Sequence, residues 1–210
     1  MNYFWIRLGG ISGISLVIVY IFATILGSFL RPGYSNIRDS VSELTEVDAI
    51  NKPVLDLMFG SHHIMLILFA FGLYKSLPNI ARQWIGPSLL GLAGLLGMLV
   101  TLYFPCDVGC EANPTTNWGK GHGVLVGISA ILVFLGLIAL SKSLRKIENW
   151  LTFSNYTLIS AILTLVLAIV SIPLLGTQYL GLAERVALVP LFLWFILAGF
   201  RLLKMANKGR

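Results

Sequence analysis

Residues 103–123 read YFPCDVGCEANPTTNWGKGHG and separate two long apolar segments of the chain. Pro105 ends the first segment as a helix, because proline lacks a backbone donor and disfavours helix in the residue before it. Asp107 therefore lies just past a helix end, and His122 lies between glycines where the next apolar segment begins. If the protein has a site, we expect it to be built around Asp107 and His122.

Both flanking segments belong to a strongly apolar chain of 210 residues. It is 57% hydrophobic and 11% charged, with a mean hydropathy of +0.85, which leaves too little polar surface to coat a soluble domain. Several apolar runs are close to the roughly 20 residues with which a helix crosses about 30 Å of hydrocarbon. The sequence predicts an all-α membrane protein, a single domain over residues 1–210 formed by a bundle of six transmembrane helices at about 8–30, 54–74, 84–105, 121–141, 151–174 and 183–203.

Basic residues in the connecting loops set the predicted orientation. With the N-terminus inside, ten of the fifteen Lys and Arg residues fall on the cytoplasmic side. The positive-inside rule then predicts that both termini of this multi-pass cell (plasma) membrane protein are cytoplasmic. The net charge of +6 reflects this topology and contact with membrane lipids that are anionic, so nucleic acid is not needed as a partner. The five basic residues on the outer side are Arg31, Arg38, Lys52, Lys120 and Arg185.

The first outer loop, from Arg31 to Lys52, is the most polar part of the sequence. Ser40 and Glu43 have the spacing of a capping box, in which each side chain bonds the backbone of the other residue. Apolar residues follow about one turn apart. This pattern predicts a short amphipathic helix over the membrane surface, and it is equally typical of a connecting loop with an ordinary cap.

The second predicted span carries two adjacent histidines. His63 shares a helix face with Asp56 and would lie about 10 Å deeper in the membrane. His62 points about a hundred degrees away, and the sequence assigns it no role. Ionisable groups inside a span mark function by default. The alternative is a neutral histidine that donates a hydrogen bond across a helix interface.

Two cysteines lie in the loop between the third and fourth spans, on the predicted outer side. The spacing of Cys106 and Cys110 is compatible with the Cα separation of up to about 7 Å that a disulfide requires. Because the outer side is oxidising, the sequence predicts that they form a structural disulfide.

Glycines recur about one turn apart in the third and fourth spans. Such small residues let helices approach closely, so we expect these two spans to hold Asp107 and His122 near each other. The glycines in question are Gly86, Gly91, Gly94 and Gly97 in the third span, and Gly119, Gly123 and Gly127 in the fourth.

Four short motifs spread over nearly the whole chain resemble a family of bacterial and archaeal integral-membrane proteins, the domain of unknown function 998. The resemblance implies a six-helix fold and supplies no established activity. The motifs are Tyr34-Ser35 followed by Ser42-Glu43-Leu44, Phe104-Pro105-x-Asp107 with His122 after it, and Gly181-Leu-x-Glu184-Arg185.

The motif residues suggest a pocket, since all of them fall at the predicted outer face. We expect the pocket to be open to the outside, with His63 as its floor. Arg185 is expected to face Asp107 or Glu43; alternatively, Glu184 and Arg185 lie among lipid headgroups. The candidate catalytic residues are Asp107, His122, Glu184 and Arg185, and the candidate substrate-binding residues are Glu43 and Arg185.

Three functions remain open at this point. In the first, His63, Asp107 and His122 hold zinc or another divalent metal with an open position for water, and the protein is a metal-assisted hydrolase or transferase acting on a lipid or lipid-linked substrate. In the second, it is a non-enzymatic protein that binds a lipid-like or small-molecule ligand, or serves in transport or as an accessory subunit. In the third, histidines of the second and fourth spans bind haem.

Overall fold

The computed structural model describes residues 3–78, 82–110 and 113–208. The regular secondary structure of these residues is all helical, and it includes six helices long and apolar enough to cross a membrane, which confirms the predicted number and order of spans. The helices extend a few residues beyond several predicted bounds. They are α1 (Tyr3–Leu30), α2 (Lys52–Ser76), α3 (Ile85–Tyr103), α4 (Asn117–Leu144), α5 (Leu151–Ser171) and α6 (Leu180–Asn207).

The six helices form a closed ring. Each contacts the next along the chain, and α6 returns to contact α1. Because the helices alternate in direction, the connections 31–51, 104–116 and 172–179 lie at one end of the bundle, which we call the first-loop end. It is the outer face if the termini are cytoplasmic, as the basic residues predict.

The half of the bundle away from the first-loop end is tightly packed. A Cβ added to Gly9 on α1 would come within 2.7 Å of the Gly72 Cα atom on α2. A Cβ on Gly86 of α3 would come within 2.9 Å of the Gly136 carbonyl oxygen on α4. Glycine at these positions therefore permits close helix contact. At the centre, Trp194 is fully buried in the apolar core.

The first-loop half is more open on the side of α4 and α5. No residue of α4 from 120 to 135 is buried, and neither is any residue of α5 from 162 to 171. Cβ atoms added to Gly123 or Gly127 would meet no atom of the described residues within 4 Å. The prediction of close packing is therefore wrong for these two glycines, because no neighbouring helix lies against them.

The first loop closes its end of the bundle. The predicted capping box forms, since the Ser40 amide donates to the Glu43 carboxylate at 2.8 Å and the Glu43 amide donates to the Ser40 hydroxyl at 3.4 Å. The helix that follows is a single 3₁₀ turn, Ser42–Thr45. Leu44 in this turn is 1% exposed and packs in a cluster with residues of α1 and α2. The first loop therefore forms a short 3₁₀ turn instead of the expected amphipathic surface helix. Because Leu44 is buried, this turn packs into the end of the bundle and does not lie on the membrane surface.

Candidate functional site

A cavity of about 410 Å³ lies in the first-loop half of the bundle. All six helices contribute to its lining, and the 3₁₀ turn contributes Ser42 and Thr45. Its size falls within the roughly 300–1,000 Å³ typical of small-molecule pockets, which are mostly apolar with a few polar groups. The polar side chains that line it are Tyr20, Ser42, Thr45, His62, His63, Thr101, His122, Ser129, Ser171 and Glu184.

His122, in the second turn of α4, joins three parts of the chain. Its Nδ1 atom lies 2.8 Å from the Phe104 carbonyl oxygen, and its Nε2 atom lies 3.1 Å from the Ser42 hydroxyl. A carbonyl only accepts hydrogen bonds, so Nδ1 carries a proton; when the ring is neutral, Nε2 accepts from the Ser42 hydroxyl. Ser42 was not among the predicted site residues, although it belongs to the Ser42-Glu43-Leu44 motif.

The two histidines of α2 both line the cavity. The Nδ1 atom of His62 lies 2.9 Å from the Leu16 carbonyl oxygen of α1. The Nδ1 atom of His63 is buried and has no hydrogen-bond partner among the described residues. A Cβ at Gly97 of α3 would overlap the His63 ring. Glycine at this position therefore makes room for an imidazole whose Nδ1 atom has no hydrogen-bond partner among the described residues.

Glu184, in the second turn of α6, also lines the cavity. One of its carboxylate oxygens accepts a hydrogen bond of 3.0 Å from the Val41 amide, directly before the 3₁₀ turn. Glu184 thus anchors the first loop while it faces the cavity. His63, His122 and Glu184, three of the predicted site residues, therefore share one cavity.

Asp107 lies outside this cavity and forms hydrogen bonds with the residues that precede α4. Its carboxylate accepts hydrogen bonds from the Thr115 amide at 2.7 Å, from the Thr116 amide at 3.0 Å and from the Thr116 hydroxyl. These hydrogen bonds, that of the Thr116 hydroxyl first, hold the pKa of Asp107 below its usual range. Thr116 in turn accepts from the Gly119 amide and caps α4. Asp107 therefore positions the start of α4 and does not line the cavity with His122.

Arg185 holds the first loop against α6. Its guanidinium donates to the Tyr34 hydroxyl at 2.8 Å and to the Asn36 side chain at 2.9 Å. Burial raises the pKa of Tyr34 to about 12, so this phenol is a neutral partner. Among the described residues, Arg185 forms no ion pair with either Asp107 or Glu43. The expected contact with these carboxylates is therefore not formed, because nearer loop groups occupy the guanidinium.

Two other acidic side chains of the first loop, Glu43 and Glu46, hold the loop together. Glu43 accepts within the capping box, and burial raises its pKa above the ordinary value. Glu46 is 5% exposed, and it accepts from the Arg31 guanidinium at 2.6 Å and from the Gly109 amide at 2.6 Å. Glu46 therefore ties the end of α1 to the loop between α3 and α4.

The three predicted zinc ligands are not gathered in one place, since Asp107 lies outside the cavity that His63 and His122 line. In the part of the chain that the structure describes, no group of three His, Cys, Asp or Glu side chains is close enough to hold a metal. Zinc or another divalent metal stays a prediction from the sequence. Cys106 and Cys110 lie at disulfide distance, with Cα atoms 5.2 Å apart, as their spacing predicts.

Comparison with known proteins identifies the family of this chain but assigns it no activity. No curated protein and no solved structure significantly matches the chain. A family model described as a protein of unknown function (DUF998) matches residues 14–201, a range that contains every residue of the cavity lining. Because this match covers most of the 210 residues, the chain is a multi-pass membrane protein that belongs to the DUF998 family.

Proposed function

We propose that this protein binds a lipid or a lipid-linked molecule in the cavity at the first-loop end. The observation that carries the proposal is the distribution of polarity around this cavity. Most of the surface area that lines the cavity is apolar, as Phe59, Val100, Val126 and Leu188 illustrate, and this surface would accept an acyl or prenyl chain. A polar group of the ligand would meet Ser42, close to the loops.

The exposure of α4 and α5 beside the cavity supports access from the bilayer. Val126 of α4 and Ala168 of α5 both line the cavity, yet both are exposed, Val126 by 43% of its surface. In a membrane, that side of the bundle faces hydrocarbon. A lipid would therefore enter sideways, without passing its chain through water.

Access from the first-loop end is obstructed by contrast. Leu44 fills the space between α1 and α2, and Glu46, Glu184 and Arg185 tie the loop to the rest of the chain. A water-soluble ligand would have to displace this network. The arrangement therefore favours a ligand that is already dissolved in the membrane.

A substitution at the exposed edge of the cavity tests the proposal. In Ala168→Trp, a large side chain would project into the cavity between α4 and α5. The matched control is Ile169→Trp, because Ile169 is 55% exposed, does not line the cavity and points about a hundred degrees away on the same helix. Native mass spectrometry of the protein, extracted in mild detergent from its membrane, would measure the fraction that retains a lipid.

We expect the wild type and the control to retain a lipid of defined mass, and Ala168→Trp to retain at least fivefold less. Equal retention by all three proteins, or no retained lipid in the wild type, would refute the proposal. The same preparation examines the other hypotheses drawn from the sequence. A metal-assisted hydrolase or transferase would carry stoichiometric zinc or another divalent metal, and a haem protein would absorb visible light.

A further inference from the structure

The Ser42–His122 pair has a fixed proton arrangement at the surface of the cavity. The Phe104 carbonyl oxygen, 2.8 Å from Nδ1, sets the tautomer of His122, and this leaves Nε2 as an acceptor 3.1 Å from the Ser42 hydroxyl. Phe104 directly follows α3, and Pro105 after it cannot continue that helix. The carbonyl is therefore available to orient the imidazole.

A serine hydroxyl is a weak nucleophile that becomes effective when a neighbouring base takes its proton and a third group orients that base. All three parts are present here, with a backbone carbonyl as the orienting group. The distance between the hydroxyl and Nε2 is within the range over which a general base accepts a proton. Both Ser42 and His122 line the cavity and are partly exposed, so a bound molecule would reach them.

A purely structural role explains the pair less well. The first loop is already held by the Arg31–Glu46 ion pair, by the Arg185 hydrogen bonds and by Glu184, which fixes the Val41 amide next to Ser42. If the Ser42–His122 hydrogen bond only held the loop, it would not need to face a cavity. The position of the pair at the cavity surface is instead that of a reacting group.

We propose that Ser42 is the nucleophile and His122 the general base of an acyl-transfer site that cleaves an ester bond in the lipid bound in the cavity. The substrate class rests on the proposed function, whereas the chemistry of the pair does not. Glu184 acts as a positioning residue, because its carboxylate holds the backbone directly before Ser42.

The reaction balances with water as the second substrate. The Ser42 oxygen bonds to the ester carbonyl carbon while its proton moves to Nε2 of His122. The carbon–oxygen bond of the ester then breaks, and the leaving alcohol takes that proton. Water attacks the acyl-serine and gives a proton to His122; the acid leaves, and Ser42 recovers its hydrogen from the imidazole. If an alcohol replaces water in the second half, the same residues transfer the acyl group to it.

A fluorophosphonate probe tests the nucleophile directly, because it phosphonylates an activated serine and releases fluoride. We expect peptide mapping of the labelled wild-type protein to place the adduct on Ser42. Ser42→Ala should remove the label, and His122→Gln should slow labelling by about a hundredfold or more, the usual contribution of a general base. Ser28→Ala is the matched control: Ser28 is partly exposed, as Ser42 is, and donates to the Ile25 carbonyl of its own helix, so labelling of this variant should equal that of the wild type.

Lipid retention, measured on the same variants, separates this proposal from the proposed function. Labelling of Ser42 that depends on His122 supports the pair, even in protein that retains no lipid. Wild-type protein that retains lipid and yet takes no label at Ser42 would overturn the pair and leave the binding function intact. Equal labelling rates for wild type and His122→Gln would overturn it as well.

Discussion

Replacing Glu46 with glutamine should destabilise the first loop far more than its small chemical change suggests. The Glu46 side chain is 6% exposed, and its two oxygens accept from the Arg31 guanidinium and the Gly109 amide, each at 2.6 Å. A glutamine keeps one acceptor oxygen and turns the other into a donor. Either Arg31 or Gly109 would then face a donor, and Arg31 would lose its counter-charge.

The magnitude follows from these contacts. A buried group left without its partner costs about 1–3 kcal/mol, and breaking a buried ion pair on one side costs about 3–5 kcal/mol. The Arg31 side chain is 30% exposed, so water compensates part of the loss. We therefore expect Glu46→Gln to lower the free energy of unfolding by about 2–3 kcal/mol, which for a chain of this size corresponds to roughly 4–12 °C in Tm.

Thermal unfolding of detergent-solubilised protein would measure this difference. Asp48→Asn is the matched control, since Asp48 is exposed in the same loop and its carboxylate accepts no hydrogen bond among the described residues. Asp48 has a φ of 65°, which asparagine tolerates, so this variant should lie within about 0.5 kcal/mol of the wild type. Equal Tm values for Glu46→Gln and Asp48→Asn would refute the reasoning.

Three further predictions concern orientation, redox state and pH. A reporter active only outside the cytoplasm should work when fused after Asn113 and fail after Arg82, and the reverse would contradict the positive-inside assignment. Cys106 and Cys110 should resist alkylation in protein purified without reductant, as an intact-mass measurement would show; two alkylated thiols would exclude the disulfide. Because the pKa of Asp107 is lowered in the folded protein, its stabilising effect should be present above its unfolded pKa and decline as the pH falls through the folded value. Tm should therefore fall less on acidification in Asp107→Asn, and parallel Tm profiles would show that this carboxylate contributes nothing.

The spans were predictable because few backbone conformations are stable inside a membrane. An apolar run of about 20 residues must satisfy its backbone internally, and a helix does so. The helix ends were less predictable. Thr116 caps α4, which begins at Asn117, four residues before the predicted position. The first turn of this helix is polar, so a search for apolar runs does not include it. Likewise, the first-loop pattern predicted the capping box correctly, but not that Leu44 would be buried.

The cavity was predictable only in part. His63, His122 and Glu184 stand out in a sequence because ionisable groups within spans are costly, and all three line the cavity. Ser42 is not among the predicted site residues, although it belongs to the Ser42-Glu43-Leu44 motif, since serine is common in loops and its partner is 80 residues away in the chain. Asp107 was grouped with His122 by proximity in sequence, whereas its hydrogen-bond partners are the loop threonines that precede α4.

The first-loop end separates groups that hold the structure from groups that face the cavity. Arg31, Glu46, Asp107 and Arg185 each have hydrogen-bond partners in the loops, where an isolated charge would otherwise be costly. The polar groups that line the cavity are mainly hydroxyl and imidazole groups, and Glu184 is the one carboxylate among its described lining residues. A neutral apolar chain could therefore occupy it without burying charges that lack partners. We therefore expect substitutions of the loop charges to change stability first, whereas the proposed chemistry of the Ser42–His122 pair predicts that substitutions of either residue change the reaction of the bound lipid.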